Sequence, residues 1–445
     1  MVKFIKRLTL IIILLISLIF AFSTWLLFTE LGSQLIRSAV NHYVPVVNID
    51  SIDGALLTES KIEGITVKSD GLSIRVQELQ LKLNIKSLFM GRVSADKLYA
   101  LGVYVGYQDN TDDNYHDDST EKDESAPFRF PITIDSPDIK LTDVSLDILG
   151  TKLNWQSLNT GLKLQRQNII VTNGQWHTIG LQLPADPKPD PKNTTANSNS
   201  KKSSSTKSTS PMVLPEVVLP LTIKLDNLDI TQFIYQGTEG DNSDPVIVNR
   251  LQITAFAKDE DISINKMKLD MADLDLEGKA AITLKDNYPL ALNLNSRFKD
   301  STLKDYQVIL KTKGDLTDLD VDSKLTTTKP SKTDLSLTGQ VNLLDPNIPF
   351  DAVLVSRYFQ WPLQGQADYQ LHNSNVSVQG DLTRYGYHLS TTAEGKEIPK
   401  AKLAASGSGD IDQIKLDQLK LDGLGGTIQG RAHFSWQYPM RWGGS

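Results

Sequence analysis

Cysteine is absent from this chain of 445 residues. That excludes disulfides, thiolate metal sites and thiol nucleophiles, and leaves strand pairing and apolar burial to hold the fold together. Histidine is scarce: the six, at positions 42, 116, 177, 372, 388 and 433, show no metal-ligand spacing. His372 and His388 stand among polar neighbours in alternating segments and read as exposed. No G-x-S-x-G, H-E-x-x-H or P-loop occurs, so no catalytic, cofactor or metal residue is assigned. Gly423-Leu424-Gly425-Gly426 has the look of a phosphate loop, but no helix follows it and a turn is the better reading. The formal net charge of -7 speaks against a nucleic-acid partner, which would need a basic stripe. Helical periodicity is missing after Tyr43.

What is present begins with an anchor. Lys3, Lys6 and Arg7 precede 21 uncharged residues, Leu8 to Phe28, enough to cross a bilayer core of ~30 Å at about 1.5 Å per residue. Leu8, Leu14, Leu18, Trp25 and Phe28 mark its length. Ala21 and Ser23 would suit a cleaved signal peptide, yet Trp25 to Phe28 carry the apolar run past the roughly 7 to 15 residues of a signal core. The expectation is an uncleaved, single-pass anchor with a cytoplasmic N-terminus and the bulk of the chain across the membrane.

Leu31, Leu35, Ile36, Val40 and Tyr43 then recur at helical spacing up to Pro45, which predicts a short amphipathic helix. From there the period is two. Leu72, Ile74 and Val76 alternate with polar residues, as do Leu79, Leu81, Leu83 and Ile85; the switch from even to odd numbers at Glu78 implies a bulge or turn. The same pattern returns in Leu221, Ile223 and Leu225; in Leu274 and Leu276; in Leu290, Leu292 and Leu294; and in Leu335, Leu337 and Val341. Each strand has one oily and one wet face, as in antiparallel sheets with a single buried side. Two stretches break the pattern: the acidic run Asp109 to Glu124 and the Pro/Ser/Lys-rich run Pro184 to Pro211, both expected to be disordered loops. The acids lack an EF-hand spacing and read as a solvated charge run.

An internal repeat is also present. Ile264 to Leu284 aligns without a gap with Leu416 to Trp436: Met267-Lys268-Leu269-Asp270 matches Leu419-Lys420-Leu421-Asp422, and Ile282 matches Phe434. Such repetition suggests a sheet lengthened by similar groups of strands. Tyr288-Pro289-Leu290 reappears two residues early as Tyr438-Pro439-Met440, after which the second copy stops short, so the chain is expected to be partial.

The anchor, the helix closing at Tyr43-Val44-Pro45, Asp53-Gly54-Ala55-Leu56, the polar insertion followed by Val213-Leu214-Pro215, Tyr358-Phe359-Gln360-Trp361-Pro362-Leu363 and Lys396-Glu397-Ile398-Pro399, in this order, resemble the N-terminal part of the TamB family, within the wider AsmA-like group. That resemblance covers essentially the whole chain. It implies an inner-membrane protein of the Gram-negative envelope whose elongated, curled antiparallel sheet forms an open apolar groove in the periplasm, and an Omp85-type outer-membrane barrel partner, TamA. Phospholipids, the inner membrane and nascent outer-membrane β-barrel proteins are the further partners expected; no cofactor is.

Physics reaches the groove by another route. A single sheet with one apolar face exposes more than the few hundred Å² tolerated on a soluble monomer, and no helices are available to cover it, so the sheet either folds into a closed sandwich or curls around something oily. Roughly 22 to 28 strands at ~4.8 Å spacing would make a trough of order 100 to 130 Å. Its expected lining is Leu72, Ile74, Val76, Leu81, Leu83, Leu221, Ile223, Leu225, Leu274, Leu276, Ile282, Leu290, Leu292, Leu294, Leu335, Leu337, Val341, Trp361, Leu419 and Leu421. The expected organisation is an anchor over 1–29, helix and first β segment over 30–108, an acidic loop over 109–126, a second β segment over 127–184, a polar loop over 185–212 and repeated groove segments over 213–445. The all-β class follows from the period. A conduit for phospholipid acyl chains and an assembly factor for outer-membrane and autotransported proteins both remain open, and a passive tether is the weaker third.

Overall fold

The structure is a computed structural model that describes residues 25–108, 129–184, 212–238, 240, 243–300, 303–327, 333–397, 399–436 and 441–444. Leu8, Leu14 and Leu18 of the expected anchor, and nearly all of both polar insertions, therefore lie outside the described residues. Among the described residues no helix is long and apolar enough to cross a membrane. The chain is all-β with an open, curled sheet, and it divides into two compact units: residues 1–189 with 220–254, and residues 190–219 with 255–445.

Unit one holds helix α1 (Glu30–Tyr43), the short helix α2 (Ile85–Phe89) and strands β1 (Val47–Asn48), β2 (Ser51–Gly54), β3 (Glu59–Ser69), β4 (Leu72–Leu83), β5 (Arg92–Tyr107), β6 (Thr133–Ile148), β7 (Thr151–Gln165), β8 (Asn168–Leu183) and β9 (Leu219–Thr238), with the greater part of β10 (Val246–Asp259). Strands β1 and β2 lie end to end along β3, and β3 to β5 run antiparallel. The expectation of a wholly antiparallel sheet is corrected here: β5 pairs with β6, and β8 with β9, in parallel. Both junctions follow the polar insertions. A parallel neighbour needs a connection of a dozen or more residues to return the chain to the same end, and only residues 108–132 and 184–218 supply one. Ile85, read from its alternation as strand, instead opens α2, where the Asn84 side chain accepts the N–H of Ser87 at 3.3 Å. Five residues are too few to show a helical period.

The parity switch in β4 is one point on a line that crosses seven strands. Gly64, Gln77, Gly102, Asp143, Gln156, Thr178 and Gln232 are all skipped by the cross-strand pairing, and the pairs on either side stay in register. Five of them, Gly64, Gly102, Asp143, Thr178 and Gln232, have φ between 52° and 64°. One extra residue in a strand sends every later side chain to the opposite face. Because each strand takes that step at the same level, the apolar face continues across the line. Thr178 Oγ1 bonds to Gln156 Oε1 and to Gln232 Oε1, each at 3.2 Å, which links the line laterally.

Unit two contains β11 (Asp261–Met271), β12 (Leu274–Thr283), β13 (Leu290–Phe298), β14 (Tyr306–Asp315), β15 (Asp318–Thr327), β16 (Leu335–Val341), β17 (Phe350–Trp361), β18 (Tyr369–Asp381), β19 (Arg384–Gly395), β20 (Ala401–Gly409), β21 (Gln413–Gly423), β22 (Gly426–Ser435) and β23 (Arg441–Gly444), each antiparallel to the next. The sequence repeat is a structural repeat. In β11–β12 a bulge falls between Ile264 and Met267, opposite Ala280 and Gly278; in β21–β22 it falls between Leu416 and Leu419, opposite Ala432 and Gly430. These are the aligned residues of the two copies. Trp442, opposite Phe434, takes the place that Leu290 holds opposite Ile282, so the equivalence lies two residues beyond the Tyr-Pro match at Met440. The Gly423–Gly426 loop is a two-residue hairpin turn with φ of 49° at Leu424 and 79° at Gly425, as its composition suggests.

A side chain at Gly102, whose φ is 64°, would begin 2.7 Å from Gln77 Oε1, whereas one at Gly386 would meet nothing nearer than 3.8 Å. Gly102→Ala is expected to cost about 1–2 kcal/mol for the left-handed backbone alone, while Gly386→Ala should leave the urea midpoint unchanged or raise it. Equal midpoints for the two variants would remove the role given to the skipped line.

Candidate functional site

The pairing register assembles the alternating residues of unit two into three rows across β11 to β22. One reads Met267, Gly278, Leu294, Leu310, Ser323, Leu337, Leu354, Val376, Leu389, Ala405, Leu419, Gly430. The next reads Ile264, Ala280, Leu292, Thr312, Val321, Gly339, Ala352, Val378, Tyr387, Gly407, Leu416, Ala432, and the third runs from Ile262, Ile282 and Leu290 through Leu319, Val341, Phe350 and Tyr385 to Ile414 and Phe434. No charged residue interrupts any of them. Small residues interrupt the large ones: Tyr385 stands between Gly380 and Gly409, and its ring lies 6.3 Å from that of Phe350.

Unit one carries the same device. Rows Ile62-Leu79-Ala100-Leu141-Leu158-Trp176-Ile230 and Ile65-Val76-Val103-Val144-Trp155-Ile179-Phe233 flank the skipped line, and Val67-Ile74-Val105-Leu146-Leu153-Leu181-Tyr235 follows. Val144, Trp155 and Ile179 form its buried centre, with Trp155 and Trp176 edge to face at 5.2 Å. Neither indole N–H has a protein partner. Most other row members in both units are half-buried. A sealed core would hide them, and a flat surface would expose them fully; this face is covered by its own side chains and open above them.

The register places each expected lining residue. Leu274, Leu276, Ile282, Leu290, Leu292, Leu294, Leu335, Leu337, Val341, Leu419 and Leu421 lie in or beside the rows of unit two, all half-buried. Leu72, Ile74, Val76, Leu81 and Leu83 do so in unit one, where Ile223 stands opposite Ile169 and Leu225 opposite Val171; Leu221 is half-buried, and Ile223 is 40% exposed. Trp361 pairs with Tyr369 at the strand end, two residues beyond the Phe359–Leu371 pair, and is 55% exposed. Sequence reasoning missed the centre of unit one, Val144, Trp155, Trp176 and Ile179. Parity switches in β6, β7 and β8 like the one at Glu78 were the available signal.

The opposite face is polar and ion-paired. Lys268 meets Glu277 at 2.6 Å, and Lys299 lies between Asp270 at 2.8 Å and Asp275 at 2.6 Å, which raises its pKa. Arg250 donates both Nε, at 2.8 Å, and Nη2 to Asp229; this outweighs desolvation and holds that carboxyl below the usual range. His372, expected to be exposed, is half-buried because its ring packs 5.2 Å from Tyr358, with Glu394 at 3.6 Å; His388 is exposed as expected. Among the described residues no cluster of His, Asp or Glu could hold a metal ion.

One margin of the apolar face is built from matching turns. Asp315 Oδ1 accepts from Thr317 N at 2.8 Å and Asp318 N at 3.2 Å, Asp381 Oδ1 from Thr383 N at 2.7 Å and Arg384 N at 3.0 Å, and Asp410 Oδ1 from Asp412 N at 2.8 Å and Gln413 N at 3.1 Å. The turns also bond to one another: Leu343 N donates to Leu316 O at 2.7 Å and Ile411 N to Leu382 O at 3.1 Å.

Open sheets that leave continuous apolar rows half-exposed along one face define an open-faced β protein rather than a closed sandwich. The family described as TamB, N-terminal domain, matches residues 18–445, and the chain belongs to it. The uncharacterized protein BU087 of Buchnera aphidicola subsp. Acyrthosiphon pisum (strain APS) is 22% identical over 364 residues, covering 78% of this chain and 36% of its own. The chain thus spans little more than a third of the length of that relative. No solved structure matches.

Asp315 and Asp381 are held below the usual carboxylate range first by the hydroxyls of Thr317 and Thr383 and then by backbone N–H groups; for Asp410 the side chain of Gln413 comes first. A depressed folded pKa contributes stability that is complete above the unfolded value near ~4 and is lost as pH falls through the folded value. The triple variant Asp315→Asn, Asp381→Asn, Asp410→Asn is therefore expected to melt lower at neutral pH and to show a shallower fall of Tm below about pH 4. Parallel Tm–pH curves for variant and parent would show that the turns do not carry this dependence.

Proposed function

We propose that this chain is the inner-membrane-anchored, periplasmic part of a conduit that carries phospholipid acyl chains between the inner and outer membranes, working with an Omp85-type barrel partner, TamA in this family. The observation that supports this is the set of uncharged rows, left half-open over successive strands in each unit. Each methylene kept from water is worth ~0.8 kcal/mol, so a 16-carbon chain crossing unaided faces ~12 kcal/mol. A track of Leu, Val, Ile and small residues removes most of that barrier, with headgroups left at the open side. No chemical step is required.

Assembly of outer-membrane and autotransported proteins, whose nascent strands would add to a free sheet edge, is the second reading. The first edge of unit one favours it little: β1 has two residues, β2 has four, and the two share β3. Short edge strands are a common defence against strand addition.

Leu292→Asp and Leu337→Asp place a charge in the apolar rows, whereas Asn293→Asp and Thr338→Asp place one at the neighbouring positions on the opposite face. Transfer of fluorescent phospholipid between vesicles and membranes holding the full chain is expected to fall at least tenfold for the first pair and to persist for the second. Unchanged transfer by folded Leu292→Asp and Leu337→Asp proteins would refute the conduit.

A further inference from the structure

On the side of α1 that faces away from the sheet, Leu31, Leu35 and Tyr43 are uncovered, beside the exposed polar residues Gln34, Ser38 and His42. Leu31 is 69% exposed, Leu35 52% and Tyr43 78%, and the stripe continues into Val44 and Val46 at 39% and 44%. Helical spacing puts Leu31 and Leu35 one turn apart on one surface, with Tyr43 two turns further along its flank. A helix free to roll would bury such a stripe.

This helix is held from the other side. Asn41 clasps Ile49 twice, donating from Nδ2 to its carbonyl and accepting its N–H through Oδ1, both at 2.9 Å, and Arg37 Nη1 donates to Asp50 O at 2.5 Å. At the N-terminal end Thr29 caps the helix, accepting Gly32 N at 3.1 Å, while Gly32 and Ser33 are buried. A Cβ on residue 32 would collide with the Leu26 backbone, so the helical turn of residues 25–28 can meet α1 this closely only at a glycine. Leu57 N donates to Leu27 O at 3.1 Å and ties that corner to the connection between β2 and β3. The polar clasps fix the face that looks outward.

We propose that α1 is an interfacial seat: Leu31, Leu35 and Tyr43 insert at the boundary between headgroups and acyl chains of a phospholipid leaflet, and so hold the first strands of unit one at the bilayer surface. The occupant follows from chain continuity. The uncharged run Leu8 to Phe28 ends three residues before Leu31, with the extended Thr29 between them, so the two lie at most about 11 Å apart, and amphipathic helices seat roughly 5–10 Å deep in that boundary. The stripe carries no lysine, so insertion rather than headgroup charge drives the contact. The seat needs only a membrane at residue 28 and stands whether or not acyl chains travel along the sheet.

The absence of cysteine makes single-site labelling clean. Leu31→Cys, Leu35→Cys, Gln34→Cys and Asp53→Cys, each in the full chain, would carry an environment-sensitive NBD dye in vesicles of phosphatidylethanolamine and phosphatidylglycerol. Labels at 31 and 35 are expected to emit to the blue and to be quenched by spin-labelled lipid, and those at 34 and 53 to be quenched by aqueous iodide. Iodide access at all four sites would overturn the seat. So would shielding of 31 and 35 without lipid quenching, which would assign the stripe to a protein partner or a second copy. Leu31→Asn with Leu35→Asn removes the stripe without touching the clasps. It should abolish lipid quenching at a Tyr43→Cys label while far-UV circular dichroism stays unchanged, and quenching that persists there would also sink the seat.

Discussion

Strand registration is the constraint on which everything else rests. A strand that is apolar on one side is useful only if its neighbours present the same side at the same level, because a slip of one residue turns the oily face to the solvent side. In unit two the rows through Leu337, Val321 and Val341 stay aligned across twelve strands although bulges interrupt the pairing at β11, β18, β20 and β21. In unit one the same end is reached by letting seven strands step together at the line through Gly102 and Gln156. Irregularity is permitted provided that the apolar residues on either side of it return to the rows.

Such a face differs from a globular core in what it leaves undone. Around Val144, Trp155 and Ile179 it closes on itself. In unit two glycine, alanine and serine interrupt the runs of leucine and aromatics, as Gly278, Ser323 and Ala405 do in the row through Leu337, which keeps the surface apolar without letting it seal. The ion pairs of Lys268 and Lys299 stand on the other side and, being exposed, contribute little to stability; their value is to keep that side wet and so decide which face is oily.

Much of this was legible beforehand. The alternation in Leu290 to Leu294 and Leu335 to Val341 is strong because each strand has one solvent face, and the match of Met267-Lys268-Leu269-Asp270 to Leu419-Lys420-Leu421-Asp422 pointed to a repeat whose bulges coincide. Less legible were Ile85, where a five-residue helix leaves no periodic trace, and His372, whose partial burial depends on Tyr358 from the neighbouring strand. The centre of unit one escaped notice because parity changes midway through β6, β7 and β8, so that each half strand reads alone as a weak signal.

Local chain chemistry by itself determined the all-β class, the short amphipathic helix and which residues of each strand would be oily, since those follow from period and side-chain type. Tertiary structure decided what no single segment contains. The polar insertions are where strands run parallel, a choice set by connection length acting on two distant strands, and seven separate parity switches lie on one line because pairing forces neighbours to agree. The outward face of α1 was decided the same way: Asn41 and Arg37 reach Ile49 and Asp50 only once the chain has turned back, and those polar bonds leave the leucines outside.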